Sequence, residues 1–224
     1  MKPHFSHQRN RALTLTEVLV VVAVVIFLIG FLLPALVAAK QKARRIACIN
    51  NLKEIGVGSR LWEGNYNDKY PMQVSVTNGG AMEAIGAGNA YVFWQTMSNQ
   101  LISPKNLHCP ADTSRIAATN FSIGFSDANI SYFINLDAAE TYPQMIMVGD
   151  DNLLVNGKPV QPGILNLRTN TTIAWTKDRH HGVGNIGMAD GSAQQVTGDG
   201  LNSAVGSSTS GVPTNNAANR WLIP

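Results

Sequence analysis

The chain has 224 residues, a formal net charge of +3 and only 14% charged residues. That length leaves room for one globular domain of ordinary size beside a long helix. So low a charge density, with abundant Gly, Asn, Ser and Thr, is unlike a cytosolic protein and suits an extracytoplasmic, β-rich domain with many turns.

The first organised stretch is Arg11 to Ala39, and Val18 to Ala39 is a run of 22 residues without a charge. As a helix it measures about 33 Å, enough to cross a hydrocarbon core of about 30 Å. Glu17 stands at its leading edge, where a carboxylate is costly in lipid and needs a partner. The run is too long for the apolar region of an ordinary signal peptide, although Val37-Ala38-Ala39 has the look of a cleavage site. A plain signal anchor, with Glu17 just outside the membrane, is the simplest reading.

Ala12-Leu13-Thr14-Leu15-Thr16-Glu17 resembles the type IV prepilin processing motif. The resemblance implies a basic leader, Met1 to Ala12, carrying Lys2, Arg9 and Arg11. A mature chain would begin at Leu13 with Glu17 as its fifth residue. Ala12 stands where the family usually has Gly, and Leu13 where it usually has Phe. Cleavage after Ala12 exposes an α-ammonium one helical turn from Glu17, at the end of the helix where negative charge is favoured. In the family this carboxylate is thought to neutralise the N-terminus of a neighbouring subunit, which makes a costly charge a registration device.

Lys40, Lys42, Arg44 and Arg45 follow the apolar run. With no aromatic residues interleaved they read as a solvated juxtamembrane face, and no nucleic-acid partner is expected. Because both flanks are basic, loop charge alone does not orient the segment. The prepilin resemblance implies an external C-terminal domain.

Beyond Lys40, Ala43, Ile46, Ile49, Leu52 and Ile55 repeat every three residues. This apolar stripe predicts that the helix continues to about Trp62, packed on a sheet. Pro34 interrupts its hydrogen-bond ladder, as membrane helices tolerate. Turn residues at Asn65 to Asp68 and Pro71 end it, and Met72 to Gly88 reads as loop. Tyr91, Trp94, Met97 and Leu101 predict a short helix over Ala90 to Leu101. Strands are expected at Phe121–Phe125, Ile130–Asn135, Met145–Val148 and Thr171–Trp175. Asn185 to Ala189 and Ser192 to Thr197, joined by Asp190-Gly191, predict a hairpin. Ser203 to Asn219 reads as a loop or flexible tail, after which Arg220 to Pro224 regains apolar character and docks on the domain.

A second resemblance covers nearly the whole chain. His180, nine residues, then Asp190-Gly191 is similar to the H-X9-DG signature of the prepilin-type, processing-associated domain. Cys48 to Lys53, Cys109 to Asp112 and Ser131-Tyr132 are further matching pieces. Chemically, Asp190-Gly191 is a turn, since Asp bonds local backbone and Gly supplies a positive φ. His180 is expected to brace that turn across the hairpin. A metal held by His180 or His181 with Asp190 and Asp150 or Asp151 is the alternative. The oxygen-rich run of a calcium loop is missing, and His108-Cys109 has no second ligand at zinc spacing, so neither metal nor cofactor is expected. Hydrolysis by His180 and Asp190 lacks a nucleophile at a telling spacing. Cys48 and Cys109 are either a disulfide or two free thiols; the bridge would close a loop of about 60 residues.

Together these readings predict an α+β, pilin-like fold, with a long N-terminal helix packed on an antiparallel β-sheet domain. Residues 1–12 are the leader, 13–39 the transmembrane and assembly helix, 40–62 its amphipathic continuation and 63–224 the globular domain. The resemblances imply a non-enzymatic subunit of a type II secretion pseudopilus or a type IV pilus-like filament. Its expected partners are a prepilin peptidase and N-methyltransferase, copies of itself and other pilin-like subunits. It is placed in the inner membrane as a single-pass protein with the C-terminal domain outside. The alternative is a membrane-anchored ligand-binding domain that never polymerises.

Overall fold

The computed structural model describes residues 14–168, 171–209 and 219–224. It is an α+β protein, with one long apolar N-terminal helix followed by a domain built on antiparallel sheets. Helix α1 runs Leu15–Glu63 and contains Pro34 without a break in the helical assignment. It starts where it does because Thr14 and Glu17 cap each other. The Thr14 amide and hydroxyl each donate to Glu17 Oε2 at 2.8 Å, and the Glu17 amide donates to Thr14 Oγ1 at 3.3 Å. That reciprocal box satisfies donors that a helix N-terminus otherwise leaves unpaired. At the other end Asn67 and Asp68 take positive φ values of 55° and 57°, and the Asp68 amide bonds back to the Glu63 carbonyl.

The chain divides into two compact units, one ending at Lys42 and the other comprising Ala43–Pro224. Among the described residues α1 is the one helix long and apolar enough to cross a membrane, and its apolar window is entirely exposed.

In the second unit, α1 buries Cys48, Leu52, Ile55, Ser59 and Trp62. The predicted stripe was drawn at a spacing of three, and the structure corrects it: Ala43 and Ile46 are exposed. Three residues turn a helix by about 300°, so an i+3 line drifts off any fixed face. Alternate steps of four and three, as in 48-52-55-59-62, hold the face.

The central sheet has six strands, all paired antiparallel: β1 (Tyr132–Asn135), β2 (Ile146–Asp150), β5 (Gly163–Leu167), β7 (Val183–Met188), β8 (Ala193–Thr197) and β9 (Asn219–Ile223). Their spatial order is β5-β9-β1-β2-β7-β8. A small second sheet joins β3 (Leu153–Val155), β4 (Lys158–Pro159) and β6 (Ile173–Trp175) in the order β4-β3-β6. Both faces of the central sheet are covered. Tyr132 and Ile134 of β1 point into a core shared with Leu52, Ile55 and Trp94, while Phe133 between them joins Trp221, Trp175 and Leu201 on the other side. Strand periodicity of two divides β1 between the two cores.

Several local expectations are corrected. Phe121–Phe125 forms turns, because the Asn120 side chain accepts the Ser122 and Ile123 amides at 3.0 and 2.8 Å and Gly124 has a φ of +74°. The side-chain bond offers the backbone an alternative to a ladder. The aromatic helix α3 (Ala90–Thr96) stops before Leu101, although Met97 and Leu101 remain buried. Met72 to Gly88 contains 3₁₀ turns and a short helix α2 (Met82–Ile85). Of the loop or tail expected at Ser203 to Asn219, residues 203–209 belong to helix α4 (Gly198–Thr209), started by Thr197 Oγ1 accepting the Gly200 amide at 3.1 Å, and residues 210–218 lie outside the described residues. Leu201, Ala204, Val205 and Ser208 supply its inward face at helical spacing. The C-terminal segment does more than dock, for β9 lies inside the sheet between β5 and β1.

Candidate functional site

Several pieces of sequence that carry the H-X9-DG resemblance, though not its Asp190-Gly191, meet at one buried node. α1 brings Cys48, and the 3₁₀ turn Pro104–Leu107 delivers Cys109; the two form a disulfide with a Cα–Cα distance of 5.3 Å. His180, just before β7, sets its Nε2 3.3 Å from Cys109 Sγ and 3.7 Å from Oδ2 of Asp150, the last residue of β2. Asp150 Oδ2 also accepts the Asn185 amide at 2.8 Å and the Asn185 side-chain amide at 2.9 Å. Asp150 Oδ1 is buried and has no hydrogen-bond partner among the described residues. From α1, Asn51 donates to the Tyr132 hydroxyl at 3.3 Å and to the His108 carbonyl at 3.0 Å.

Burial governs the electrostatics here. It pushes the Asp150 carboxyl up to about 7 against the opposing pull of Arg179 and the Asn185 donors. It drives His180 down to about 4, helped by the positive charges of Arg45 and Arg179. At neutral pH the imidazole is therefore uncharged. Tyr132, fully buried beside Asp150, is raised well above the usual phenol range, chiefly by the same loss of solvent.

Next to this node lies a lattice of two cations and two anions. Arg179 reaches Asp112 at 2.7 Å and Asp151 at 2.6 Å; Arg115 reaches Asp151 at 2.6 Å and Asp112 at 3.4 Å. Ser131 and Ser114 each donate a hydroxyl to Asp112, at 2.8 and 2.6 Å. Burial alone would raise Asp112, but Arg179 and these hydroxyls outweigh it and bring the group to about 2. Asp112, Asp151 and Arg179 line a cleft of about 270 Å³ together with Leu153, Pro159 and Val160.

The other expected residues sit elsewhere. The hairpin forms, but with Gly187 opposite Ala193 and a three-residue turn, Ala189 to Gly191, instead of the expected Asp190-Gly191 alone, and His180 does not brace that turn, because β7 separates the two. Instead, Asp190 Oδ1 accepts the Ser192 amide at 2.8 Å, and the Asp190 carbonyl accepts from Arg60 of α1 at 3.3 Å. Gly191 takes a φ of +84° and lies against Gly56 of α1. His181 is exposed with a φ of 58° and Asp190 is exposed, so neither joins His180 and Asp150. Of the alternative ligand set, His180 or His181 with Asp190 and Asp150 or Asp151, the structure brings together His180 and Asp150 without Asp190, and no His180–Asp190 pair for hydrolysis is assembled. Glu17 is held in the capping box of α1. Ala12 and Leu13 lie outside the described residues.

Sequence reasoning missed the pairing of Arg115 and Arg179 with Asp112 and Asp151, and the anchoring role of Asn185. Their partners are up to 67 residues apart in a chain with few charges, and no local spacing links them. The visible hint was rarity: Asp150-Asp151 and Arg179-His180 flank apolar strands, where charges need partners. Comparison with protein-family models, with curated proteins and with solved structures finds no match.

Proposed function

We propose that this chain is a pilin-like structural subunit that enters a filament of the type II secretion pseudopilus or type IV pilus kind through its N-terminal helix. In this reading a prepilin peptidase cuts after Ala12 in the inner membrane and Leu13 is N-methylated. Copies of the chain, with other pilin-like subunits, then pack their apolar helices side by side, and the β-domain faces outward. The chain is the substrate of that chemistry and performs none itself.

The observation that carries the proposal is the join between the Ala12-to-Glu17 motif and a 49-residue helix whose apolar window is wholly exposed. So large an exposed apolar surface requires lipid or like helices around it. Glu17 sits in the first turn of that helix, where it would meet the α-ammonium of a neighbouring copy.

The capping box favours a second reading. Glu17 is already satisfied by Thr14 of its own chain. A non-polymerising anchor, with the cleft beside Arg179 as a ligand site, would need nothing more from it. Replacement of Glu17 by Gln separates the two. A subunit loses incorporation into filaments while remaining in the membrane; an anchor keeps its localisation and outer-domain binding unchanged.

A further inference from the structure

Cys48, Cys109, Asp150 and His180 present four ligand atoms within 4.8 Å of one another, all on buried residues. We propose that this node is a redox-gated metal site. With the disulfide closed it holds no ion, and with the disulfide reduced the same four side chains bind one thiophilic divalent cation, zinc by preference, as a two-thiolate, imidazole and carboxylate set.

The geometry suits a tetrahedral ion. Bonds of about 2.3 Å to sulfur and about 2.0–2.2 Å to nitrogen and oxygen imply ligand–ligand edges of about 3.3–3.8 Å. His180 Nε2 already stands 3.3 Å from Cys109 Sγ, and the Asp150 carboxylate, whose Oδ2 is 3.7 Å from that nitrogen, would ligate through its other oxygen, Oδ1. The two sulfurs must move apart, and their Cα atoms, 5.3 Å from each other, leave room for the side-chain rotation that brings the set, now within 4.8 Å, onto one ion.

A second observation also points to a ligand. Asp150 Oδ1 is buried without a hydrogen-bond partner among the described residues, and such an atom calls for an explanation. A disulfide needs neither an imidazole nor a carboxylate beside it, and burying that carboxylate is costly. A cation gives the orphan oxygen its partner. Asn185 fixes the carboxylate from behind through its two bonds to Oδ2, as outer residues fix metal ligands. Two thiolates, one carboxylate and a divalent ion leave one net negative charge, and Arg179 acts on that site with a positive one. Sequence spacing hides the set, because its members are drawn from α1, a turn, the end of β2 and the approach to β7.

The chemistry balances with an external dithiol as reductant. It supplies two electrons and two protons to the sulfur–sulfur bond, giving two thiols and a cyclic disulfide. The cation then displaces the protons of its ligands to solvent.

Cobalt(II) is the probe. Full-length protein in detergent is reduced with excess dithiol in denaturant, freed of the dithiol by desalting, refolded without oxygen and titrated with cobalt, alongside the disulfide-bonded protein. The reduced protein is expected to bind one cobalt per chain, with a thiolate-to-cobalt charge-transfer band and tetrahedral d–d bands that zinc abolishes. The oxidised protein is expected to show none of these. The chain has two cysteines, so the charge-transfer band reports this node alone. His180→Ala and Asp150→Asn, checked for fold by circular dichroism, should each weaken cobalt binding at least tenfold while keeping that band. Absence of the band in reduced wild-type protein overturns the proposal without reference to any variant. Equal cobalt affinity in wild type and both variants overturns it too.

Discussion

Gly191 in the Asp-Gly turn lies against Gly56 of α1 so closely that a Cβ at position 56 would stand 2.8 Å from the Gly191 carbonyl oxygen and 2.9 Å from its Cα. The hairpin is thus clamped to α1 at both ends of β7. Gly191 meets Gly56 at one end, and His180 meets the Cys48–Cys109 disulfide at the other. The nine-residue interval between His180 and Asp190 is one strand and its approaches. Replacing Gly56 by Ala should destabilise the domain by about 1–3 kcal/mol, since the atoms it meets are backbone and cannot rotate away. Gly206→Ala in α4, where a Cβ meets no atom of the described residues within 4 Å, should stabilise by up to about 1 kcal/mol. Denaturant midpoints of the two variants check the contrast in sign.

The Cys48–Cys109 bridge joins α1 to the loop after the Pro104–Leu107 turn across a sequence separation of 61. Loop-closure entropy places its contribution near 4 kcal/mol. The double variant Cys48→Ala, Cys109→Ala should unfold at a lower denaturant concentration by the corresponding amount. A midpoint equal to that of the oxidised wild type would mean that the unfolded chain is already constrained.

The lattice of Arg115, Arg179, Asp112 and Asp151 is an arrangement in which removing one member costs more than the pair contributes. Arg179→Met leaves two buried carboxylates facing Arg115 alone and should destabilise by about 3–5 kcal/mol. Urea unfolding followed by tryptophan fluorescence measures it.

Asp112 makes this domain sensitive to strong acid. Its folded value of about 2 lies below the ordinary 3.8, so the unfolded chain binds more protons between those limits. The contribution of Asp112 to stability is therefore complete above pH 4 and lost as pH falls toward about 2. Ser131→Ala removes one hydroxyl from Asp112, which raises its folded value, so the acid-induced loss should be smaller and complete at a higher pH.

Asp150 and His180 oppose each other in the disulfide-bonded protein. The raised Asp150 gives stability that is full below about 3.8 and lost as pH rises through about 7. The lowered His180 gives stability that is full above about 6.5 and lost as pH falls toward about 4. Between those limits the pair carries one proton in both folded and unfolded chains, so the two slopes cancel. Asp150→Asn should expose the histidine slope, with stability rising from about pH 4 to 6.5, and His180→Gln should expose the opposite slope. Arg179, Arg45, Asp151 and His181 also act on this pair, but through charges that both variants retain.

Local signals in the sequence were read well where one rule dominated. The long apolar helix, the strands β1, β2 and β6, and the Asp-Gly hairpin each follow from composition or period over a few residues. The helix α4 was missed because its Gly and Ser content argues for loop, while its inward positions are satisfied only by tertiary partners, among them Ile173 and Trp175 of β6 and the Ile146 amide, which donates to Ser208 Oγ at 3.1 Å. Asn202 seals that contact, accepting the Ile173 amide at 2.9 Å and donating to the Ile173 carbonyl at 2.7 Å. The interior place of β9 was likewise invisible, since sheet order depends on partners and not on the strand itself. At the site, His180 and the two cysteines were legible as unusual residues. Their convergence with Asp150 was not, because it arises from a disulfide and two strand ends brought together by tertiary packing.

The central claim is that the chain is processed as a prepilin before assembly, and the intact mass and N-terminal sequence of the protein from its native membrane test it most directly. The account predicts a chain that begins at N-methylated Leu13 and lacks Met1 to Ala12. A membrane-bound chain that still begins at Met1 would contradict it, and the assembly role given to Glu17 would fall with it.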